Sequence, residues 1–246
     1  MLSLQSLLYL LEECFIGNFM HNIAVVLAGG IGARVGGNMP KQLLPLADGK
    51  TILEHSVDAF EQAECIDEVC IVMHPDYIAE AQKMLHANGW TKMRHIIPGG
   101  KERWESSVNA IRLYQDKLES AQFATTNILL HDAARPFVSQ RIISDVCEAL
   151  KENEAVVVAI PSTDTVYEMQ NGCVARIPNR STIMRAQTPQ AFRLPLITKA
   201  YDIALNSENM QVTDDCGVVF NHIPTQPIHI VLGEEQNKKI TFKEDI

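Results

Sequence analysis

The sequence lacks a basic surplus, because 30 aspartates and glutamates outnumber 21 lysines and arginines and give a formal net charge of -9. Proteins that bind nucleic acids in general carry a positive surface, so the composition disfavours that class. A long apolar run is also missing. Residues 2–19 are the nearest approach, but they are too polar for a membrane span and lack the basic start of a signal peptide. We expect residues 1–21 to be an N-terminal extension, either an upstream start or a loosely attached helix.

Cysteine occurs only as scattered single residues. None of the six forms a C-x-x-C pair, and none lies at zinc-finger spacing from a histidine. Six cysteines in 246 residues are also too sparse for a disulfide framework. We therefore expect reduced thiols and a cytoplasmic protein. Its length and its 46% hydrophobic content suit one sizeable α/β domain, predicted at residues 22–246.

Short apolar segments alternate with amphipathic segments along the chain. Apolar periodicity predicts strands at 23–28, 68–73, 94–97, 127–131 and 155–160, with helices at 51–62, 77–88, 102–118 and 139–151. This alternation predicts right-handed βαβ units in a Rossmann-like, mostly parallel sheet that is flanked by helices. Ligands bind such sheets at the carboxyl ends of the strands. The unusual residues of this chain follow the first, third and fourth predicted strands, which places a site at that edge.

Residues 162–185 interrupt the alternation. They contain the hairpin signal Asn171-Gly172 and exposed-looking apolar residues that a solitary hairpin cannot bury. We predict a projecting β-arm that pairs with the same arm of a second copy, which gives a homodimer. An arm that folds back onto its own sheet is the alternative. The chain is then expected to return through a helix near 194–205 and a strand near 228–232.

A glycine-rich loop follows the first predicted strand. It reads Gly29-Gly-Ile-Gly-Ala-Arg34 and ends in Met39-Pro-Lys41. It is not a Walker loop, and Val35 replaces the third glycine of the dinucleotide fingerprint. Glycines let backbone N–H groups approach phosphate oxygens, and Arg34 and Lys41 add positive charge. The loop therefore predicts a phosphate site, with a plain turn carrying solvated cations as the alternative.

Six further motifs follow along the chain. In order they are Gly99-Gly-Lys-Glu-Arg103, His131-Asp-Ala-Ala-Arg-Pro136, Asp164-Thr165, Arg180 with Gln187-Thr-Pro-Gln190, Thr213-Asp214 and Asn237-Lys-Lys239. Together with the first loop, this series resembles the 2-C-methyl-D-erythritol 4-phosphate cytidylyltransferases and their relatives, the ribitol-5-phosphate cytidylyltransferases. The resemblance runs from about residue 23 to the C-terminus. The combination is specific, although each motif alone is not. Family members usually continue into a helix after the last motif, whereas this chain ends at Ile246.

The resemblance implies a nucleotide-diphospho-sugar transferase type of fold and a definite reaction. The phosphate of a polyol would attack the α-phosphorus of CTP, and pyrophosphate would leave. The residues agree with this, because two polyanions must be brought together by convergent positive charge. Cations in the motif loops are Arg34, Lys41, Arg103, Arg135, Arg180 and Lys239. Mg²⁺ is the expected cofactor on the triphosphate, with Asp132 as its carboxylate.

The resemblance also implies a role for each motif residue. Transition-state charge would be stabilised by the catalytic residues Lys41, Lys239 and Arg34. CTP would be bound by Ala28, Gly29, Gly30, Gly32, Gly100, Arg103 and Ser106. The polyol phosphate would be bound by Asp132, Arg135, Thr165 and Arg180. Three less specific roles stay open: a mutual salt bridge for Asp132 and Arg135, a contact of Thr165 with the arm backbone, and simple packing for His131. The attacking phosphate is already ionised, so His131 is not needed as a base.

The acceptor is the least determined part of this prediction. Ala133-Ala134 favours methylerythritol phosphate, whereas Ser181-Thr-Ile-Met-Arg-Ala-Gln187 is typical of the ribitol relatives. We expect 2-C-methyl-D-erythritol 4-phosphate, with ribitol 5-phosphate as the alternative. A UTP- or GTP-dependent sugar-1-phosphate transferase would share the first loop but lack the His131 motif. A non-catalytic nucleotide-binding regulator would not need both Lys41 and Lys239.

Overall fold

The computed structural model describes residues 20–30, 39–207, 210 and 212–245. The strands are β1 (His21–Ala28), β2 (Glu68–Met73), β3 (Met93–Pro98), β4 (Thr126–Asp132), β5 (Ala155–Pro161), β6 (Glu168–Gln170), β7 (Cys173–Arg176), β8 (Met184–Arg193) and β9 (His229–Leu232). The helices are α1 (Ile52–Glu61), α2 (Ile78–Asn88), α3 (Arg103–Lys117), α4 (Ser120–Thr125), α5 (Gln140–Glu152), α6 (Leu194–Leu205) and α7 (Asp215–His222). Within the described part of the chain, no helix has the length and apolar character needed to cross a membrane. The predicted N-terminal extension lies almost entirely outside the described residues.

Seven strands form one sheet in the order β3-β2-β1-β4-β8-β5-β9. The neighbours are parallel except for β8, which runs antiparallel to both β4 and β5. This arrangement confirms the predicted mostly parallel sheet. Strand β8 itself was not predicted, since the arm was expected to extend to residue 185 and to lead into a helix. Gln187 and Gln190 make the segment look like a loop, yet both are buried and hydrogen-bonded in the fold.

Both faces of the sheet are covered by helices. In β1, Ala24 and Val26 point to the core formed with α1, α2 and α5. Ile23 and Val25 point to the opposite core, formed with α3, α6 and α7. A strand that is buried on both faces needs apolar residues at every position, which explains the uninterrupted apolar run in the sequence.

Local signals set several helix boundaries as predicted. Thr51 and Glu54 form a capping box at the start of α1, within the predicted helix 51–62. The Ser139 hydroxyl accepts a hydrogen bond from the backbone N–H of Ile142 and caps α5. These boundaries matter for function because α1 and α5 hold the sheet from one side while its strand ends stay open.

The predicted arm is confirmed as a separate element. Strands β6 and β7 form a separate two-stranded sheet, joined by a turn in which Asn171 and Gly172 have φ angles of 52° and 77°. Positive φ at both positions is the geometry that an Asn-Gly hairpin turn provides. Residues 163–177 are all exposed, so the alternative of an arm folded back on its own sheet is wrong.

Candidate active site

A cleft with a volume of about 210 Å³ opens at the carboxyl ends of β1 and β4. This is the edge at which the sequence predicted a site, and many of the expected residues meet there. The cleft is lined by Leu27, Gly29, Gly30, Lys41, Gln42, Gly100, Lys101, Glu102, Arg103, Ser106, Asp132, Ala133, Ala134 and Lys239. Ala28 is buried directly beneath, whereas Gly32 and Arg34 lie outside the described residues.

The loops after β1 and β3 approach each other closely. A Cβ atom on Gly29 would lie 2.8 Å from the Ser106 hydroxyl oxygen, and one on Gly99 would lie 2.9 Å from the Gly29 Cα. The Ser106 hydroxyl oxygen accepts a hydrogen bond of 3.1 Å from the backbone N–H of Gly100. Glycine is therefore required where these two backbones meet. Because glycine has no side chain, the backbone peptide groups themselves form this part of the cleft wall.

Gln42 supports the first loop, a role that the sequence did not reveal. Its side-chain amide is buried and donates to the carbonyl oxygens of Ala28 and Gly30. The neighbouring Lys41 ammonium donates to the carbonyl oxygen of Ile240 at 2.6 Å. The Ile240 N–H in turn donates to a carbonyl in the loop after β4. The first loop and the Asn-Lys-Lys loop, although far apart in sequence, thus form one wall. The position of Gln42 directly after Pro40-Lys41 was the sequence feature that could have pointed to this supporting role.

Asp132 at the end of β4 is the central anion of the cleft. Its Oδ1 accepts from Arg103 Nε at 2.7 Å, and its Oδ2 accepts from Lys239 Nζ at 2.7 Å. Burial opposes its ionisation, but Arg103 and Lys239 outweigh burial and hold the pKa of Asp132 well below its usual range. Asp132 therefore stays a carboxylate at neutral pH. The expected alternative of an Asp132–Arg135 salt bridge is wrong, because other cations occupy both oxygens.

Arg135 contacts backbone instead of the cleft. Its Nη1 donates to the carbonyl oxygen of Asn237 at 2.8 Å, and its Nη2 donates to the carbonyl oxygen of Ala186 at 3.3 Å. Burial lowers the pKa of Arg135. The side-chain amide of Asn237 completes this joint by donating to the carbonyl oxygen of Thr188 at 2.9 Å. Together these contacts fix the loop that carries Lys239 to β8. Binding of the polyol phosphate by Arg135 stays a prediction.

His131 packs at the end of β4, as the sequence analysis expected. Its Nε2 is 3.0 Å from the carbonyl oxygen of Arg135, and its Nδ1 is 3.0 Å from the Thr188 hydroxyl. A carbonyl only accepts, so Nε2 carries the proton and Nδ1 accepts from Thr188. The Thr188 oxygen also accepts from the backbone N–H of Asp132 at 3.1 Å. Burial lowers the pKa of His131 to about 4, so the ring is neutral at pH 7 and helps to fix the Asp132 backbone.

Thr165 and Arg180 lie on the exposed arm and do not line the cleft of their own chain. Arg180 Nη1 contacts the carbonyl oxygen of Thr163 at 3.3 Å. The predicted contacts of these two residues with a polyol phosphate therefore remain predictions. Within one copy, the arm places them outside the cleft wall.

A metal ion would find two carboxylate residues in the lining of the cleft, Asp132 and Glu102, rather than a complete set of protein ligands. Among the described residues, no three His, Cys, Asp or Glu side chains converge to hold a metal. Mg²⁺ at nucleotide sites is commonly held by one or two carboxylates together with substrate phosphates. The ionised Asp132 suits that mode of binding.

Comparisons with known proteins agree with this geometry. The family model IspD, 2-C-methyl-D-erythritol 4-phosphate cytidylyltransferase, matches residues 22–246. The 2-C-methyl-D-erythritol 4-phosphate cytidylyltransferase of Thermobifida fusca is 45% identical over 228 residues, which cover 91% of this chain and 89% of that protein. The bifunctional ribulose 5-phosphate reductase/CDP-ribitol pyrophosphorylase of Haemophilus influenzae is 38% identical over 227 residues, which cover 92% of this chain and 46% of that protein.

A solved structure shows the same fold. The 4-diphosphocytidyl-2C-methyl-D-erythritol synthase of Anaerococcus prevotii superposes with a TM-score of 0.78 at 29% identity, covering 92% of both chains. The family match spans the sheet, the arm and the loops that build the cleft. The chain therefore belongs to the 2-C-methyl-D-erythritol 4-phosphate cytidylyltransferase family, and it is a nucleotidyltransferase.

Proposed function

We propose that the protein transfers CMP from CTP to 2-C-methyl-D-erythritol 4-phosphate and releases pyrophosphate. The observation that carries this proposal is the convergence of Lys41 and Lys239 on one cleft beside a glycine backbone. Transfer of a nucleotidyl group needs positive charge around the reacting phosphorus and little covalent help from the protein. The named relative at 45% identity supports the choice of acceptor.

The chemistry is a displacement at the α-phosphorus of CTP. An oxygen of the acceptor phosphate forms the new P–O bond while the bond to the bridging oxygen of pyrophosphate breaks. Negative charge builds on the non-bridging oxygens, where the ammonium groups of Lys41 and Lys239 would stabilise it. The attacking phosphate is already ionised, which leaves no proton for a base to remove, and this agrees with the buried, neutral His131.

Gly29 and Gly30 would present backbone N–H groups to the triphosphate of CTP, and Gly100 and Ser106 would face its cytosine. We include Mg²⁺ in the proposal, held by Asp132 together with phosphate oxygens of the substrate. The ion would supply charge neutralisation on the triphosphate.

A cytoplasmic location also belongs to the proposal. It is supported by free thiols at every cysteine that the structure describes.

Pyrophosphate release tests this function directly. We expect turnover with CTP, Mg²⁺ and 2-C-methyl-D-erythritol 4-phosphate, and only background release with ATP, GTP or UTP. Turnover with ribitol 5-phosphate instead would show that the chain shares the activity named for the Haemophilus influenzae relative. Turnover with UTP or GTP and a sugar 1-phosphate would overturn the assignment to CTP. Binding of CTP without turnover on any acceptor would point to a regulator.

We further propose a homodimer in which the arm of one copy reaches the acceptor site of the other. The arm exposes Met169 and Val174, which face each other across β6 and β7 and are 72% and 56% exposed. A two-stranded hairpin with exposed apolar residues gains stability from a partner surface. A symmetric contact between two arms would also bring Thr165 and Arg180 to the second cleft.

Dilution should therefore lower activity per subunit in parallel with dimer content. Val174→Asp should shift the protein to an inactive monomer, because an interface would bury the new charge. Phe220→Asp is the matched control, since Phe220 is 69% exposed on α7 and not on the arm. Light scattering and turnover measured on the same samples decide the question. A fully active monomer would contradict the proposed role of the arm.

A further inference from the structure

A line of alternating charges runs from the cleft into the core. It begins with Lys239 and Asp132, which are joined at 2.7 Å. Arg103 follows, with Nε 2.7 Å from Asp132 and Nη1 2.6 Å from Asp215. The line ends at Tyr201, whose hydroxyl donates to Asp215 at 2.6 Å. The charges at one end line the cleft, while Asp215 and Tyr201 are fully buried behind it.

Asp215 is bonded on both carboxylate oxygens. Its Oδ2 accepts from Arg103 and its Oδ1 accepts from Tyr201, so both sides of the carboxylate are held. As the first residue of α7, it also lies at the positive end of a helix. Burial and the charge of Asp215 raise the pKa of Tyr201, so its hydroxyl keeps its proton and remains a donor. A buried carboxylate persists only when it is paired in this way.

Arg103 connects this buried anion to the anion of the cleft. Its guanidinium is planar and rigid, so bonds from Nε and Nη1 to two different carboxylates leave it one orientation. Burial opposes its charge, but Asp215 and Asp132 together raise the pKa of Arg103. The arginine is therefore a permanently charged link between the start of α3, the end of β4 and the start of α7.

We propose that Asp215 is a positioning residue that acts through Arg103 to hold the Asp132 carboxylate in place at the cleft. This inference rests on the nucleotidyl transfer proposed above. In that reaction Lys239 turns to a phosphate oxygen, and Asp132 then keeps Arg103 as its partner. Tyr201 anchors Asp215, and Asp215 holds the Arg103 guanidinium in place. Arg103 therefore does not shift together with Asp132 or move toward the triphosphate. The geometry of Asp132 thus survives the loss of one of its two bonds.

Tyr201→Phe is the mildest test, because it removes one hydrogen bond to Asp215 and keeps the ring. Supporting partners of this kind are typically worth about tenfold or more in activity, so we expect kcat to fall about tenfold. The KM for CTP should change less than kcat, because Tyr201→Phe keeps both the glycine loops that would bind CTP and the charge of Arg103. Asp215→Asn should lower kcat at least as much, since it also removes the charge that Arg103 meets.

Tyr114→Phe is the matched control. The Tyr114 hydroxyl donates to the Glu68 carboxylate at 2.6 Å, and the tyrosine is as buried as Tyr201. Neither Tyr114 nor Glu68 lines the cleft. Both tyrosine variants should lose similar thermal stability, but only Tyr201→Phe should lose turnover. Equal kcat values for the two variants would reduce Asp215 to a structural role and overturn the proposal.

A double-mutant cycle tests the route through Arg103. In the Arg103→Lys variant, a single ammonium group can pair with one carboxylate but cannot hold both. Adding Tyr201→Phe to this variant should therefore lower kcat by less than about twofold. A full tenfold effect of Tyr201→Phe in the Arg103→Lys variant would show that Asp215 does not act through Arg103.

A crystal structure of Asp215→Asn gives a test that does not depend on the acceptor. The Asp132 carboxylate and the Arg103 guanidinium should have shifted from the positions they hold here, and an unmoved Asp132 carboxylate would contradict the proposal even if the proposed acceptor were wrong.

Discussion

Lys239→Ala is expected to lower kcat about 100- to 1,000-fold, because removing one donor to transition-state charge costs about 3–4 kcal/mol. The KM for CTP should change only a few-fold, since the ammonium matters most when charge has built up on the α-phosphate. The fold should persist, because Lys239 is 40% exposed and Asp132 keeps its bond to Arg103. Lys41→Ala should behave in the same way, because Lys41 also lines the cleft.

Lys238→Ala provides the matched control for this measurement. Lys238 is the neighbouring residue, it is 54% exposed, and its ammonium lies 3.7 Å from the Asp245 carboxylate. Its loss removes the same charge from the same loop without touching the cleft. Steady-state kinetics with CTP and the acceptor should show near-normal turnover for Lys238→Ala. Near-normal turnover for Lys239→Ala would contradict the catalytic assignment.

Arg135→Met is expected to lower the free energy of unfolding by about 1–3 kcal/mol, because a half-buried charged donor is lost from its partners. The carbonyl oxygens of Asn237 and Ala186 would each lose a hydrogen bond. Arg180→Met is the control, because Arg180 is exposed and its replacement should cost less than about 0.5 kcal/mol. Urea unfolding of both variants at one pH gives the comparison.

The same variant separates two roles for Arg135. If its main task is to fix the loop of Lys239, Arg135→Met should lower both stability and kcat. A variant of normal stability whose only defect was a raised KM for the acceptor would instead support the phosphate-binding role that the family resemblance implies. Arg180→Met should show that second pattern, with normal stability and weaker acceptor binding.

The elements that local rules control could be predicted from the sequence. The first five strands and the four helices that alternate with them appear at the predicted places, with boundaries shifted by one or two residues. The hairpin turn at Asn171-Gly172 was also predicted, since few other pairs tolerate positive φ twice. Short-range periodicity and turn chemistry act within a few residues, so they are visible without the fold.

Strand β8 could not be predicted by those rules. Its glutamines look like loop residues, but Gln190 donates to Asp214 at 2.8 Å and accepts from the backbone N–H of Cys216 at 3.0 Å. Gln187 donates to the carbonyl oxygen of Glu234 at 2.8 Å. Polar residues become core residues only when distant segments supply their hydrogen-bond partners. The helix that begins at Asp215 was missed as well, and with it the buried carboxylate behind the cleft.

The sequence by itself determined the α/β class, the projecting arm, and which loops carry the cations and glycines of the cleft. Only the tertiary structure decided which charges pair. Lys41 meets the carbonyl of a residue 199 positions away, Lys239 meets Asp132 across 107 positions, and Arg103 meets Asp215 across 112. Periodicity and spacing describe neighbours along the chain. The choice among Arg103, Arg135 and Lys239 as partners of Asp132 depends on how β4, β8 and the last loop pack together, because ion pairs form between groups that folding brings within about 4 Å.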